Sequence, residues 1–226
     1  MSGRPAKHTR NGKATRIAIL ESALAAFSQS GYDGAGVREI AQKAGVTAIL
    51  VNRYFGSKEK LFEEVVEVMF SEASIGLKQL QKEEGLAALS LKLSRAPIPL
   101  AMLESGPADS FLLIIRSAAN DRAARILRRK MAQYFEKPLA NLLSGSRKPE
   151  RGALILSIIA GVRLLREVLM VSALTNVDVP TLSRYVQSLI EVLVSVPKGG
   201  AIRNETLRRR AKRGATKRTT DGLSLL

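Results

Sequence analysis

The chain has no cysteine, which excludes a disulfide framework and a cysteine-ligated zinc site. Its one histidine, His8, stands in a polar run near the N-terminus, so neither a Cys nor a Ser-His nucleophile system can be assembled in the folded body. No apolar signal core follows Met1, and the expectation is an unexported, cytoplasmic protein. The most apolar stretch, GALILSIIAGV at 152–162, is cut off by Arg163, Arg166 and Glu167 too early to span a bilayer, so no membrane partner is expected. No stretch keeps the alternation of a strand, and no repeat recurs at solenoid periods. No cluster of titratable residues converges in the way an enzyme needs, and no metal or cofactor is implied.

Acidic residues are the scarce charge. Twenty Asp and Glu face 36 Lys and Arg, a net charge of +16, so the natural partner is a polyanion or an anionic surface. The excess lies at the ends. Arg4, Lys7, Arg10, Lys13 and Arg16 occupy the first 16 residues without an acidic neighbour, and residues 203–226 hold eight basic residues against two acidic ones. With 226 residues and 46% apolar content, the chain can bury a sizeable core as one large domain or two modest ones.

Helical spacing is abundant. Ile17, Leu20, Leu24 and Phe27 recur at steps of three and four, which predicts a first helix over about 14–30 ended by Gly31. A short second helix is expected from Val37 to Ala44, with Val37, Ile40 and Ala41 on one face. Gly45 breaks it, and Thr47 caps a third helix that reaches Tyr54. Beyond Gly56, Ser57 caps a longer fourth helix carrying Leu61, Phe62, Val65, Met69 and Phe70. Helices of about eight residues are too short to stand alone. The second and third must therefore pack on the first as a helix-turn-helix unit. Beyond residue 75, Pro97, Pro99 and Pro107 break a weaker helical stretch. Helices follow at about 108–119, 121–143 with a kink near Pro138, 149–174 and 179–196.

A helix that reads DNA needs outward side chains near its start and cationic or hydrogen-bonding groups at its flanks. Residues 47–58 have both. Thr47 and Asn52 can donate to phosphates or base edges, Arg53 reaches either, and Tyr54 adds a hydroxyl. Lys58 stands in the first turn of the next helix, where free N–H groups and the dipole favour an anion, so Gly56-Ser57-Lys58 is a candidate phosphate clamp. The alternative for each polar residue is an ordinary solvated face, and Phe55 reads as core.

Over residues 19–66, ILESALAAFSQSGYDGAGVREIAQKAGVTAILVNRYFGSKEKLFEEVV resembles the DNA-binding domain of the TetR family of transcriptional regulators almost end to end. The likeness rests on Ala23 and Phe27 before Gly31-Tyr32, Val37, Ile40-Ala41, Ala44-Gly45-Val46, Tyr54-Phe55 and Ser57-Lys58-Glu59. RGALILSIIAGVRLLREVLMVSALTNVDVPTLSRYVQSLIEVLV resembles the ligand domain of that family more weakly. The resemblance implies an all-α fold: an N-terminal three-helix helix-turn-helix DNA-binding domain and a larger helical ligand-binding and dimerisation domain, whose last two long helices pair with their mates. The bounds expected are a basic flexible arm (1–13), the helix-turn-helix domain (14–56), the ligand and dimer domain (57–196) and a basic flexible tail (197–226).

The partners implied are a double-stranded DNA operator with an inverted repeat, a small-molecule effector and a second copy of the chain. The activity implied is that of a ligand-responsive repressor. The rival is a weakly specific architectural nucleic-acid-binding protein. DNA contacts would fall to Gly36, Thr47, Ala48, Ile49, Leu50, Asn52, Arg53, Tyr54 and Lys58, with Arg10, Lys13 and Arg16 of the arm reaching phosphate or minor groove. The sequence departs from the family in three places. Ala35 and Gly36 replace Thr and Ser, which removes a side-chain cap before the second helix; Ile49 and Leu50 replace a small residue and Thr; Asn52 replaces Tyr. Ile49 and Leu50 suit apolar contact with thymine methyl groups.

Met102, Phe111, Ile115, Met131, Phe135 and Met170 are candidates to line an effector pocket, the alternative being plain core. Arg116, Arg163 and Arg166 sit inside apolar helices. Either they pair with Glu104 or Glu167, or Arg116 and Arg166 fork around the carboxylate of an acidic effector. Ala153, Ser157 and Gly161, spaced by four, give one helix a narrow face, and Leu182, Val186, Leu189 and Leu193 form an apolar stripe on the last, so both are candidate dimer faces. The C-terminal RRRAKRGATKR is either a solvated tail or a second grip on DNA.

Overall fold

The computed structural model describes residues 6–75, Leu77 and residues 108–194; the proline-broken stretch with Met102 and the C-terminal tail lie outside the described residues. All regular structure among the described residues is helical, and no helix among them is long and apolar enough to cross a membrane.

The first helix, α1 (Ala6–Gly34), begins at Ala6 rather than near Ala14, so most of the arm expected to be irregular has helical backbone. Lys, Arg and Ala favour helix without leaving any apolar period for spacing to detect. At Gly31 the backbone leaves the helical region (φ 68, ψ −178), as the expected stop requires, and helical bonding resumes briefly with Ala35 N–H donating to the Gly31 carbonyl at 3.2 Å. The core face of α1 is Ile19, Ala23, Ala26 and Phe27, while Ile17 is exposed and Leu20 and Leu24 are half-buried. The row read as core is therefore largely a second face, whose partner is described below.

Helices α2 (Val37–Lys43) and α3 (Ala48–Phe55) meet across Gly45 (φ 67), and α4 (Lys58–Ala73) follows with the Ser57 hydroxyl accepting from Lys60 N–H at 3.2 Å. Phe62 of α4 meets Phe27 and Tyr32 edge-on, with centroids 5.0 and 5.1 Å away, which locks α4 to α1. The three-helix unit is thus continuous with the rest of the molecule through α4.

Helix α5 (Ala108–Ser117) lies along α1. A Cβ placed at Gly31 would come within 2.5 Å of the Arg116 carbonyl oxygen, so the two helices approach closely there. Asn120 caps α6 (Asp121–Met131): its Oδ1 accepts from Arg122 and Ala123 N–H at 3.0 and 3.1 Å, while its Nδ2 donates to Asp33 Oδ1 at 2.8 Å. One side chain thereby starts a helix and ties it to the end of α1.

Helix α6 widens into a π-turn at Ala132–Glu136 and resumes as α7 (Lys137–Leu142). Pro138 has no N–H and its ring crowds the carbonyl one turn back, so the widened turn stands where a kink was expected. Helix α8 (Lys148–Arg163) ends in a second π-turn, Leu164–Val168, and the chain breaks at Met170 (φ 52) before α9 (Ser172–Thr175) and α10 (Val179–Val194). The single helix expected over 149–174 is therefore interrupted. Arg166 closes the break by donating to the carbonyls of Leu174 and Val177 at 2.8 and 3.4 Å. Buried Arg151 donates to the Leu193 carbonyl at 2.9 Å, satisfying one of the terminal acceptors of α10.

Candidate functional site

Helix α3 is two turns long and held at both ends. Thr47 Oγ1 accepts from Leu50 N–H at 3.3 Å, and Gly56 (φ 78) closes the other end by donating to the Asn52 carbonyl at 2.7 Å. Val51 and Phe55 are buried and pin the helix to the bundle. The opposite side is open: Ile49 is 81% exposed, Thr47, Asn52 and Arg53 are exposed, and Ala48 and Leu50 lie half-buried at the edge. Gly36 caps α2 with no side-chain bond, the consequence expected of losing Thr and Ser there.

Tyr54 is half-buried with its ring 6.3 Å from that of Phe55. Its hydroxyl faces Gly12, where an added Cβ would lie 3.3 Å away, so α3 is braced on the start of α1. Lys58 opens α4. Its ammonium donates to the Asp33 carbonyl at 3.3 Å and lies 4.9 Å from the Tyr32 ring centroid. Burial lowers the Lys58 pKa from the usual lysine value, and the Asp33 carboxylate partly offsets this. Lys13 is exposed, and Arg10 lies on the helical backbone of α1. Arg16 departs from the expected contact with DNA. Its guanidinium pairs with Glu64 of α4 and sits 5.1 Å from the Phe55 centroid, so it braces α1, α3 and α4.

Behind this brace a cavity of about 1070 Å³ opens between α1, α4, α5, α6 and α8. Its walls are apolar: Leu20 and Leu24 of α1, Val65 and Met69 of α4, Ile114 of α5, Leu156 and Ile159 of α8. Among the residues expected to form a pocket, Phe111, Met131 and Phe135 line it. Ile115 and Met170 are exposed elsewhere. Ile114 and Ile115 are consecutive on a helix, and only one of two such neighbours can face a given wall. Arg116 is turned away, donating to the Ser28 carbonyl near the Gly31 kink, and Arg166 is held by the carbonyls named above. Arg163 does border the cavity, but its guanidinium pairs with Glu167 at 3.0 Å and lies 5.6 Å from the Phe111 centroid. The ion-pair reading holds for Arg163, and neither Arg116 nor Arg166 belongs to the cavity. The wall from α1 and α4 was missed, although α1 carries two apolar rows, more than one partner can cover.

The candidate dimer faces also divide. Ala153 and Ser157 border the cavity, whereas a Cβ placed at Gly161 would meet nothing within 4 Å. Leu182 and Val186 are buried within the chain, at 7% and 2% exposure, and Leu193 is half-buried. Leu189 stays outside with Tyr185 and Val192, at 55%, 67% and 68% exposure. The outward row of α10 is thus displaced from the stripe read in the sequence.

Residues 19–65 match the bacterial regulatory proteins of the tetR family, and residues 99–194 match the tetracyclin repressor-like C-terminal domain. The HTH-type transcriptional regulatory protein RaaS of Mycobacterium tuberculosis is 32% identical over 152 residues, 63% of this chain and 66% of RaaS. The chain spans under half the length of other curated regulators it matches, such as AcrR of Shigella flexneri. Among solved structures, a tetR family regulator from Shewanella sp. PV-4 aligns with TM-score 0.65 at 17% identity, covering 81% of this chain and 99% of that one. The regulator FadR of Bacillus subtilis, solved in complex with stearoyl-CoA, aligns with TM-score 0.59 at 20% identity over 79% and 97%. The capped reading helix, the helical body behind it and both matched segments lead to one conclusion: the chain belongs to the TetR family of transcriptional regulators.

Proposed function

We propose that the protein is a homodimeric repressor that leaves an inverted-repeat operator when a small molecule fills the cavity. The observation that carries this reading is the shared wall. The cavity is bounded by α1 and α4, two of the helices that α3 rests on, and Arg16 touches the cavity, Glu64 of α4 and Phe55 of α3. A ligand that changes the packing of α1 against α4 changes the placement of the reader, and DNA affinity falls by the ratio of the ligand's binding to the two states. Thr47, Ile49, Asn52 and Arg53 present the exposed surface for bases and phosphates, with Gly36, Ala48 and Leu50 at its edge. Tyr54 and Lys58 stand beside it, and the arm residues Arg10 and Lys13 are assigned phosphate or minor-groove contacts next to it. The two readers of a dimer would enter successive major grooves, about 34–36 Å apart. Selection from random duplexes followed by footprinting tests this. The expected result is a two-fold symmetric site with half-sites one turn or a whole multiple apart. Enrichment without symmetry or sequence preference would favour architectural binding instead.

A further inference from the structure

The charges at the cavity do not suit an acidic ligand. Both cavity arginines are already neutralised, Arg16 by Glu64 and Arg163 by Glu167. Three carboxylates of the lining are not: Glu21 on α1, Glu72 on α4 and Glu136 on the π-turn make no hydrogen bond or ion pair among the described residues. All three are exposed, which places them at the opening and not in the apolar depth. An apolar chamber with a net negative rim stands out in a chain of net charge +16, whose overall field would otherwise concentrate anions.

We propose that the cavity takes a hydrophobic cation, its apolar body among the α1, α4 and α5 side chains and its positive centre at the Glu21, Glu72 and Glu136 rim. This rests on the reading of the cavity as the effector site. A carboxylate outside the bulk of the ligand attracts a cation without demanding a fixed geometry, and aromatic faces such as Phe135 offer a further cation-binding surface. An acyl or aryl acid would instead meet three like charges with no free guanidinium to offset them.

Tetraphenylphosphonium and tetraphenylborate share a shape and an apolar surface and differ in the sign of their charge. Each is titrated calorimetrically into the full chain, into the triple variant E21Q/E72Q/E136Q, and into Ala160→Trp, which fills the cavity from α8. Phosphonium is expected to bind at least tenfold tighter than borate to the unmodified chain. The triple variant, whose altered residues are exposed, should unfold at the same temperature and lose most of that preference. Borate binding equal to or tighter than phosphonium, or a preference unchanged by the triple substitution, overturns the charge inference. Binding of either ion that survives Ala160→Trp in a folded protein removes the cavity as the site, which sinks the underlying reading too. Absence of binding by both ions overturns the proposal.

Discussion

At the scale of single residues, Gly31 meets two requirements that no other residue satisfies. Its φ of 68 lies in the left-handed region, and a Cβ there would approach the Arg116 carbonyl oxygen to 2.5 Å. Gly31→Ala is expected to incur the positive-φ penalty of about 1–3 kcal/mol together with the cost of separating α1 from α5, so that unfolding in denaturant shows a loss of at least about 2 kcal/mol. A loss below about 0.5 kcal/mol would show that α5 gives way freely. Ile49 is the opposite case. At 81% exposure it holds nothing together, so Ile49→Ala should leave stability within about 0.5 kcal/mol. If it reads a thymine methyl, binding-site selection with the variant will relax preference at one or two base pairs; identical selected sites would remove that role.

Between elements, α4 is clasped to α6 and the π-turn by a polar seam. Arg129 pairs with Glu63 at 2.7 Å, Lys130 pairs with Glu63 at 3.4 Å and with Glu67, and the Tyr134 hydroxyl donates to Glu67. The bond to Glu67, then burial, then the Glu67 charge hold the neutral phenol and push the Tyr134 pKa up from 10.0 to about 12. A folded-state value raised above the unfolded one contributes stability that is complete below pH 10 and disappears as pH climbs toward about 12. Tyr134→Phe should therefore cost about 1 kcal/mol at neutral pH, the worth of one hydrogen bond. It should also flatten the fall in melting temperature above pH 10, and an alkaline limb identical to that of the unmodified chain would exclude the assignment. None of this seam is legible from periodicity, because Lys130 and Glu67 are 63 positions apart in the numbering and look like ordinary surface charges. The ends of α2, α3 and α4 are legible for the converse reason: Gly45, Thr47, Gly56 and Ser57 act on their immediate neighbours. The cavity fell between these cases. Phe111, Met131 and Phe135 could be named by type, but which face of α1 looked inward depended on α5, a partner far along the chain.

Over the whole molecule, the apolar residues of α10 span an arc of about 200° at 3.6 residues per turn, too broad for one packing partner. One half, with Val186 and Ile190, is buried inside the chain. The other half, with Tyr185, Leu189 and Val192, is exposed; α8 adds exposed Leu154 and the π-turn after it exposed Leu165, with Gly161 between them in the chain. In the proposed homodimer this apolar surface is the interface, and a second copy presenting the same row would cover it with two-fold symmetry. The two halves of the arc then separate assembly from folding. Leu189→Glu should shift the protein from dimer to monomer in light scattering after size exclusion, with little change in helicity. Its operator affinity should collapse, because a monomer engages one half-site without the linked second contact. Val186→Ala, two methyl groups removed from a buried position, should lower stability by about 2 kcal/mol and leave the dimer intact. A Leu189→Glu protein that remains dimeric and binds operator unchanged would move the interface away from α10.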